Sequence, residues 1–186
     1  MRVLDATVEC LIELGHSGTT TAAVQERAGI SRGALMHHFG SKADLLVAAV
    51  HHLARQRGAN LVARAAALDD SVDRTSQAID LLWETFTGPL FTATLELWTA
   101  SRTDAELRRA VLEFERSLRD QLTVAMEILF GADAAARPAF AVAVELTLQF
   151  MRGAALTAIL RTDPTRQRDV IDRWKSVFTA LIEEAI

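Results

Sequence analysis

Residues 19–46 read TTTAAVQERAGISRGALMHHFGSKADLL. Thr19 or Thr20 can cap a helix running to about Ala28, since a hydroxyl there accepts one of the amide protons a helix start leaves unpaired. Gly29 closes that helix and adopts a positive φ at little cost. Ser31 caps a second short helix, to about His38. Ser41 opens a third, with Asp44 three residues on as a variant capping box. Two short helices joined by a tight turn and followed by a longer one form a helix-turn-helix pattern.

The second short helix needs one face that packs and one that is free. Taking Leu35 as inner, Phe39 lies one turn later on the same side, and Val24, Ala28 and Ile30 complete a small core. At about 100° per residue, Gly33, Ala34, Met36 and His37 then point outward or sideways. The major groove of duplex DNA admits one helix, whose first residues reach the base edges. An outward glycine lets the backbone come close to it.

Composition supports an all-α chain. Of 186 residues half are hydrophobic, Pro is rare (3) and Tyr is absent, which argues against a sandwich or barrel. The single Cys10 excludes an intrachain disulfide and suits a reducing cytoplasm. MRVLDATVEC is too polar for a signal peptide. The longest apolar stretch, 139–160, carries Glu145 and Arg152, so a buried helix explains it better than a membrane span. The net charge of −4 is uneven. Residues 1–57 hold six Lys/Arg, five Asp/Glu and all five His, and the excess of acid lies beyond them. A nearly neutral first part implies only modest non-specific affinity for nucleic acid.

About nine helices are expected. Val3, Thr7, Cys10, Leu11 and Leu14 set an amphipathic helix over 2–14, ended by Gly15. After the two short helices, the next runs from 41 to 67. Gly88-Pro89 separates helices at 72–87 and 89–100. Asp104 caps a helix to about Phe130, Gly131 stops it, and helices follow at 137–160 and 165–184.

The combination of Thr20, Ala28-Gly29-Ile30-Ser31, Gly33, Leu35, Phe39 and Lys42 resembles the TetR family of transcription regulators. That family's pattern is roughly Thr, a helix, Ala-Gly-Val-Ser, a Gly-containing short helix, Tyr-x-x-Phe and a Lys opening the fourth helix. The resemblance covers about 45 residues. It implies a three-helix DNA-binding domain over 1–46 and a ligand-sensing and dimerisation domain over 47–186, with the helix at 41–67 linking them. It implies that Thr20 and Lys42 bind phosphates of double-stranded DNA, Lys42 adding a charge to a helix N-terminus. Ser31 belongs to the same surface, and Arg32, Gly33, Ala34 and His37 would face bases. Met36 stands where the family has a phosphate-binding Tyr, so that contact is lost. The family's first helix usually begins several residues earlier; the start here looks short, so an N-terminal arm is either missing from this sequence or was never present.

The same resemblance implies a small-molecule cavity among the helices at 72–87, 89–100, 104–130 and 137–160. Trp83, Phe86, Phe91, Leu95, Trp98, Phe114, Met126, Phe150 and Met151 are candidate walls, with Thr94, Glu145, Gln149 and Arg152 as candidate polar anchors for an apolar or amphipathic effector. Aromatic side chains at helical spacing are also what a plain core contains. Glu145 lies in FAVAVELTLQF, where a charge is costly unless paired. Three roles are open to it: a pair with Arg152, a ligand contact, or a subunit contact. A homodimer joined by the last two helices, with small residues Gly153, Ala154, Ala155 and Ala158 between them, would bind a near-palindromic operator. The expected action is repression relieved by the effector, as the linking helix swings and the half-sites cease to fit. A ligand-dependent activator or co-repressor-type regulator of the same fold, and a helical ligand-binding protein without DNA binding, are the alternatives. No metal, cofactor or catalytic role is expected. Adjacent histidines, His37-His38 and His51-His52, diverge by about 100° on a helix, and no nucleophile elbow or phosphate loop is present.

Overall fold

The computed structural model describes residues 2–68, 73–160 and 163–183. Among them it has ten helices and no strand: α1 (Arg2–Gly18), α2 (Thr21–Ala28), α3 (Arg32–His38), α4 (Lys42–Ala65), α5 (Arg74–Phe86), α6 (Pro89–Ser101), α7 (Ala105–Phe130), α8 (Ala132–Ala135), α9 (Phe140–Ala158) and α10 (Pro164–Glu183). The count exceeds the expected nine because α8 is a separate single turn. Gly131, at φ 86°, ends α7, and α9 begins only after Pro138. The starts and ends expected at residues 72 and 184 lie outside the described residues.

Local signals account for most boundaries. Asp73, Asp104 and Asp163 each accept a backbone N–H two or three residues on, from Ser76, Leu107 and Thr165, the caps their helices need. Pro89 stands at the first position of α6. Gly15, at φ 66°, breaks α1, and a short turn of 16–18 continues beyond the break.

The chain packs as two compact units, Met1–Gly58 with Gly88–Gln121 and Ala59–Thr87 with Leu122–Ile186, so α4 and α7 contribute to both. The first unit holds α1–α3, most of α4, α6 and the start of α7. One cluster there joins Cys10, Val24, Leu35 and Leu45, with Ile30 and Phe39 against them. A second joins Leu11 of α1, Leu46 and Val50 of α4, Leu97 of α6, and Val111 and Phe114 of α7. Burial of Cys10 raises its thiol pKa, so it behaves as a small apolar core residue.

In the second unit Phe178, fully buried, stacks on Phe130 at 4.6 Å, and Phe140 meets Phe130 edge-on at 5.9 Å. Phe150 stacks on Trp174 at 4.3 Å. The Trp174 indole donates to the buried Thr147 hydroxyl at 3.1 Å, and Thr147 donates to the Ala143 carbonyl at 2.7 Å. Arg74 donates to the carbonyls of Ala65 and Ile128, in the last turns of α4 and α7, which lack partners within their own helices.

Candidate nucleic-acid interface

The Thr20 hydroxyl accepts from the Ala23 N–H at 3.1 Å, Ser31 from Ala34 at 3.3 Å, and Ser41 from Asp44 at 3.1 Å. Three helix starts are thus capped as their residue types require. Gly29 sits at φ 66° and ψ 38°, and the Ile30 N–H returns to the Gln25 carbonyl at 3.2 Å. This is the Schellman closure, with its apolar residue, Ile30, packed beside Val24. The turn between α2 and α3 is therefore set by the local chain and locked by the cluster beneath it.

Leu35 is buried at 1 % exposure, whereas Arg32, Gly33, Ala34, Met36, His37 and His38 are all exposed. Gly33 and His37 lie two positions either side of Leu35, opposite the core at about 100° per residue. A Cβ built on Gly33 would meet no atom within 4 Å. The His37 and His38 rings lie edge to face at 5.5 Å. Met36 is 44 % exposed. The outer face of α3 thus offers one permanent cation, imidazoles, a thioether and a bare backbone to a groove.

Two ties hold α1 to the rest of this surface. Arg27 of α2 donates to Glu13 at 2.6 Å and lies 3.7 Å from Glu9; the Arg27 bond lowers the Glu13 pKa. The buried His52 Nε2 is 3.2 Å from Asp5 and 2.9 Å from the Gln56 amide. Sequence reading placed Lys42 on a phosphate. Its Nζ here donates to the His16 carbonyl at 3.1 Å, and burial lowers its pKa, opposed by Asp104. Glu96 of α6 accepts the His16 N–H at 2.7 Å, a contact the sequence did not suggest, because it joins residues 80 apart.

The expected ligand residues fall in several places. Phe91 and Phe114 are buried, and Leu95 and Trp98 are half-buried, all in the first unit. The Trp98 indole donates to Glu115 at 2.7 Å. Thr94 turns its hydroxyl to the Leu90 carbonyl at 2.8 Å. Phe114 meets the His51 ring edge-on at 5.8 Å. In the second unit Phe86 is half-buried. Trp83, with Ala154, Arg166 and Val170, lines a cleft of about 60 Å3, far below the roughly 300–1,000 Å3 of a typical ligand pocket. Met126 and Met151 are core, and Phe150 is taken up by its stack on Trp174.

Glu145 and Gln149 are exposed. Each lies two positions from the fully buried Thr147, hence on the opposite side of α9. They share that outer side with exposed Val142 and Leu146. Neither is part of an enclosed wall within the chain. Arg152 reaches back to Gln149 at 3.5 Å. Among the described residues, no three His, Cys, Asp or Glu side chains stand close enough to hold a metal ion, and no helix is long and apolar enough to cross a membrane.

A capped helix-turn-helix with an exposed second helix, followed by further helices, is the architecture of a DNA-binding regulator. The family model "Bacterial regulatory proteins, tetR family" matches residues 3–49. The chain is 32% identical over 156 residues to the HTH-type transcriptional regulator BetI of Paraburkholderia xenovorans, covering 82% of this chain and 80% of that one. It is 25% identical over 179 residues to an uncharacterized HTH-type transcriptional regulator of Mycobacterium tuberculosis, covering 96% and 92%. The solved structure of the multidrug binding protein EbrR complexed with imidazole superposes with a TM-score of 0.67 at 24% identity, over 100% of this chain and 95% of that one. The protein belongs to the TetR family: it is a DNA-binding transcriptional regulator and not an enzyme.

Proposed function

We propose that this regulator is a repressor, acting in the cytoplasm as a homodimer on a near-palindromic operator and released by a small apolar or amphipathic effector. The observation that carries the DNA contact is the outer face of α3. Gly33 and exposed His37 stand opposite Leu35, with open space about the Gly33 Cβ position, and Arg32 and Ala34 are exposed beside them. The helix starts capped by Thr20 and Ser31 present backbone N–H groups suited to phosphates.

Effector control is supported by how the first unit is built. Leu97 of α6 and Val111 of α7 pack in one cluster with Leu11 of α1 and Leu46 of α4. A ligand that favours another position of α6 therefore acts on the same packed body that holds α3. Phe91, Leu95, Trp98 and Phe114 are the side chains proposed to meet it, which sets its apolar character. The same fold in EbrR binds small molecules. Dimerisation is supported by the exposed apolar residues of α9 and α10, among them Val142, Leu146, Leu156, Val170 and Val177, since contiguous exposed apolar surface marks interaction sites. Glu145 and Gln149 are exposed on that side of α9, which supports the subunit contact among the roles open to Glu145.

A mobility-shift titration of the protein against its own upstream DNA, with a scrambled duplex as competitor, tests this reading. Specific retardation by a dimer, relieved by an apolar compound and matched by derepression of a reporter, is the expected result. Retardation that an effector strengthens, or activation of the reporter, would refute repression by release.

A further inference from the structure

We infer that Glu96 of α6 is the positioning residue for the DNA-backbone contacts at the starts of α2 and α4, and so the point at which α6 governs DNA binding. This rests on the DNA-reading role given to the helix-turn-helix. Gly15 makes the contact possible. A Cβ on Gly15 would stand 3.1 Å from Glu96 Oε2, and its φ of 66° breaks α1 there. The break frees the His16 N–H from the helix ladder, and Glu96 Oε2 accepts it at 2.7 Å. A carboxylate acceptor makes this one of the stronger hydrogen bonds of the unit. On the other side of the same residue, Lys42 Nζ donates to the His16 carbonyl at 3.1 Å.

The bonds continue in both directions. The Gly15 carbonyl, turned by the break, accepts from the Thr19 hydroxyl at 2.7 Å and the Thr19 N–H at 3.1 Å, and Thr19 is buried. The Thr20 N–H goes to the Gly18 carbonyl at 2.9 Å, and Thr20 then caps α2. One line of hydrogen bonds thus runs from α6, through the turn of 15–20, to the N-cap of α2. A second runs from that turn to Lys42, the first residue of α4. Thr20 and Lys42 are the two residues that the family resemblance puts at phosphates. A shift of α6 by about 1 Å takes the Glu96 bond beyond hydrogen-bonding distance. The turn then loses its hold on both.

The test uses a duplex enriched by the wild-type protein from a randomised pool, titrated at several salt concentrations against Glu96→Ala, Glu96→Gln and Lys42→Met. Glu96→Ala is expected to bind about tenfold more weakly, with the slope of log affinity against log salt shallower by about one per half-site, as the loss of one phosphate contact requires. Glu96→Gln, which keeps an acceptor oxygen, should recover most of the affinity. Adding Glu96→Ala to Lys42→Met should cost less than it does alone, because the two act on one contact. Should Glu96→Ala fail to fold, Glu96→Asp, a methylene too short for the His16 N–H, takes its place with the same expected direction. Wild-type affinity and slope in the Glu96 variant would overturn the inference. So would weaker binding with an unchanged slope, the mark of general destabilisation, or a Gln variant as weak as the Ala variant. Failure of the wild-type protein to enrich any duplex would overturn the DNA-reading role itself, and with it this inference.

Discussion

Replacing Gly33 with Ala should move stability and DNA affinity in opposite directions. Gly33 lies within the seven-residue α3, and a Cβ there would meet nothing within 4 Å. The methyl therefore costs no packing in the free protein, and the substitution removes the entropic penalty of a helical glycine. The gain is about 0.5–1 kcal/mol, equivalent to a melting-temperature rise of about 1–4 °C for a chain of this size. On DNA the same methyl stands on the side of α3 opposite Leu35, between the backbone and the groove floor. A tenfold loss of operator affinity corresponds to about 1.4 kcal/mol, or roughly half that per half-site, and that is the expected size. Gly58 of α4, also open around its Cβ, supplies the control: Gly58→Ala should stabilise similarly and leave affinity unchanged. Thermal melts by circular dichroism and fluorescence-anisotropy titrations read the two quantities independently. If Gly33→Ala is stabilised yet binds operator as tightly as Gly58→Ala, Gly33 does not face the groove. If it is destabilised, α3 is not the open helix described.

Three further substitutions test other parts of the structure. Gly153 is exposed on α9 with open space about it in the single chain, so Gly153→Leu should fold normally but weaken the dimer, seen by light scattering as a monomer at concentrations where the wild type is paired. Phe178→Ala removes a fully buried ring stacked on Phe130 at 4.6 Å and should cost about 3–5 kcal/mol, read as a fall in the urea midpoint; a change below about 1 kcal/mol would contradict that packing. Burial, aided by Arg55, holds the His51 imidazole below its ordinary 6.5. On acidification the unfolded chain therefore takes up the proton first. Stability is complete above about pH 6.5 and falls as pH drops below it, until the folded imidazole also protonates. His16, also lowered by burial, acts in the same direction, so His51→Gln should reduce, not abolish, the fall of melting temperature between neutral and mildly acidic pH. A steeper fall in that variant would reverse the sign.

The helix-turn-helix was legible because every signal that shapes it is local. Thr20, Ser31 and Ser41 cap within three residues of themselves, and Gly29 needs only its own positive φ. The family resemblance extended this to the order of the later helices. Contacts across the chain were not legible. Lys42 could be recognised as a cation at a helix start, but not as a donor to His16, because that depends on the break at Gly15 and on Glu96 arriving from α6. The side of α9 on which Glu145 lies was not legible for another reason. In FAVAVELTLQF both sides of the helix are apolar, so periodicity does not say which side is core. Thr147, a polar residue with its hydroxyl satisfied by Ala143, is the buried one. The apolar residues around Glu145 lie outside, as they would on a helix with a second core to complete.

The grouping of helices in space carries a consequence that their order in sequence hides. Between α4 and α6 the chain leaves the first unit to form α5 and then returns, so Leu97 packs in one cluster with Leu11, Leu46 and Val111. Moving an equilibrium from 1:99 to 99:1 takes about 5.5 kcal/mol of differential binding. A close-packed interior does not yield gradually but moves between discrete arrangements. Under the proposed effector control a ligand would need only to favour one arrangement of α6 over another, and because α6, α1 and α4 meet in a single core, the turn that carries Thr20 and the first residue of α4 would follow. On the proposed reading, control of DNA binding is then a question of packing within one unit, and the Glu96–His16 bond is the contact at which the Glu96 variants test it.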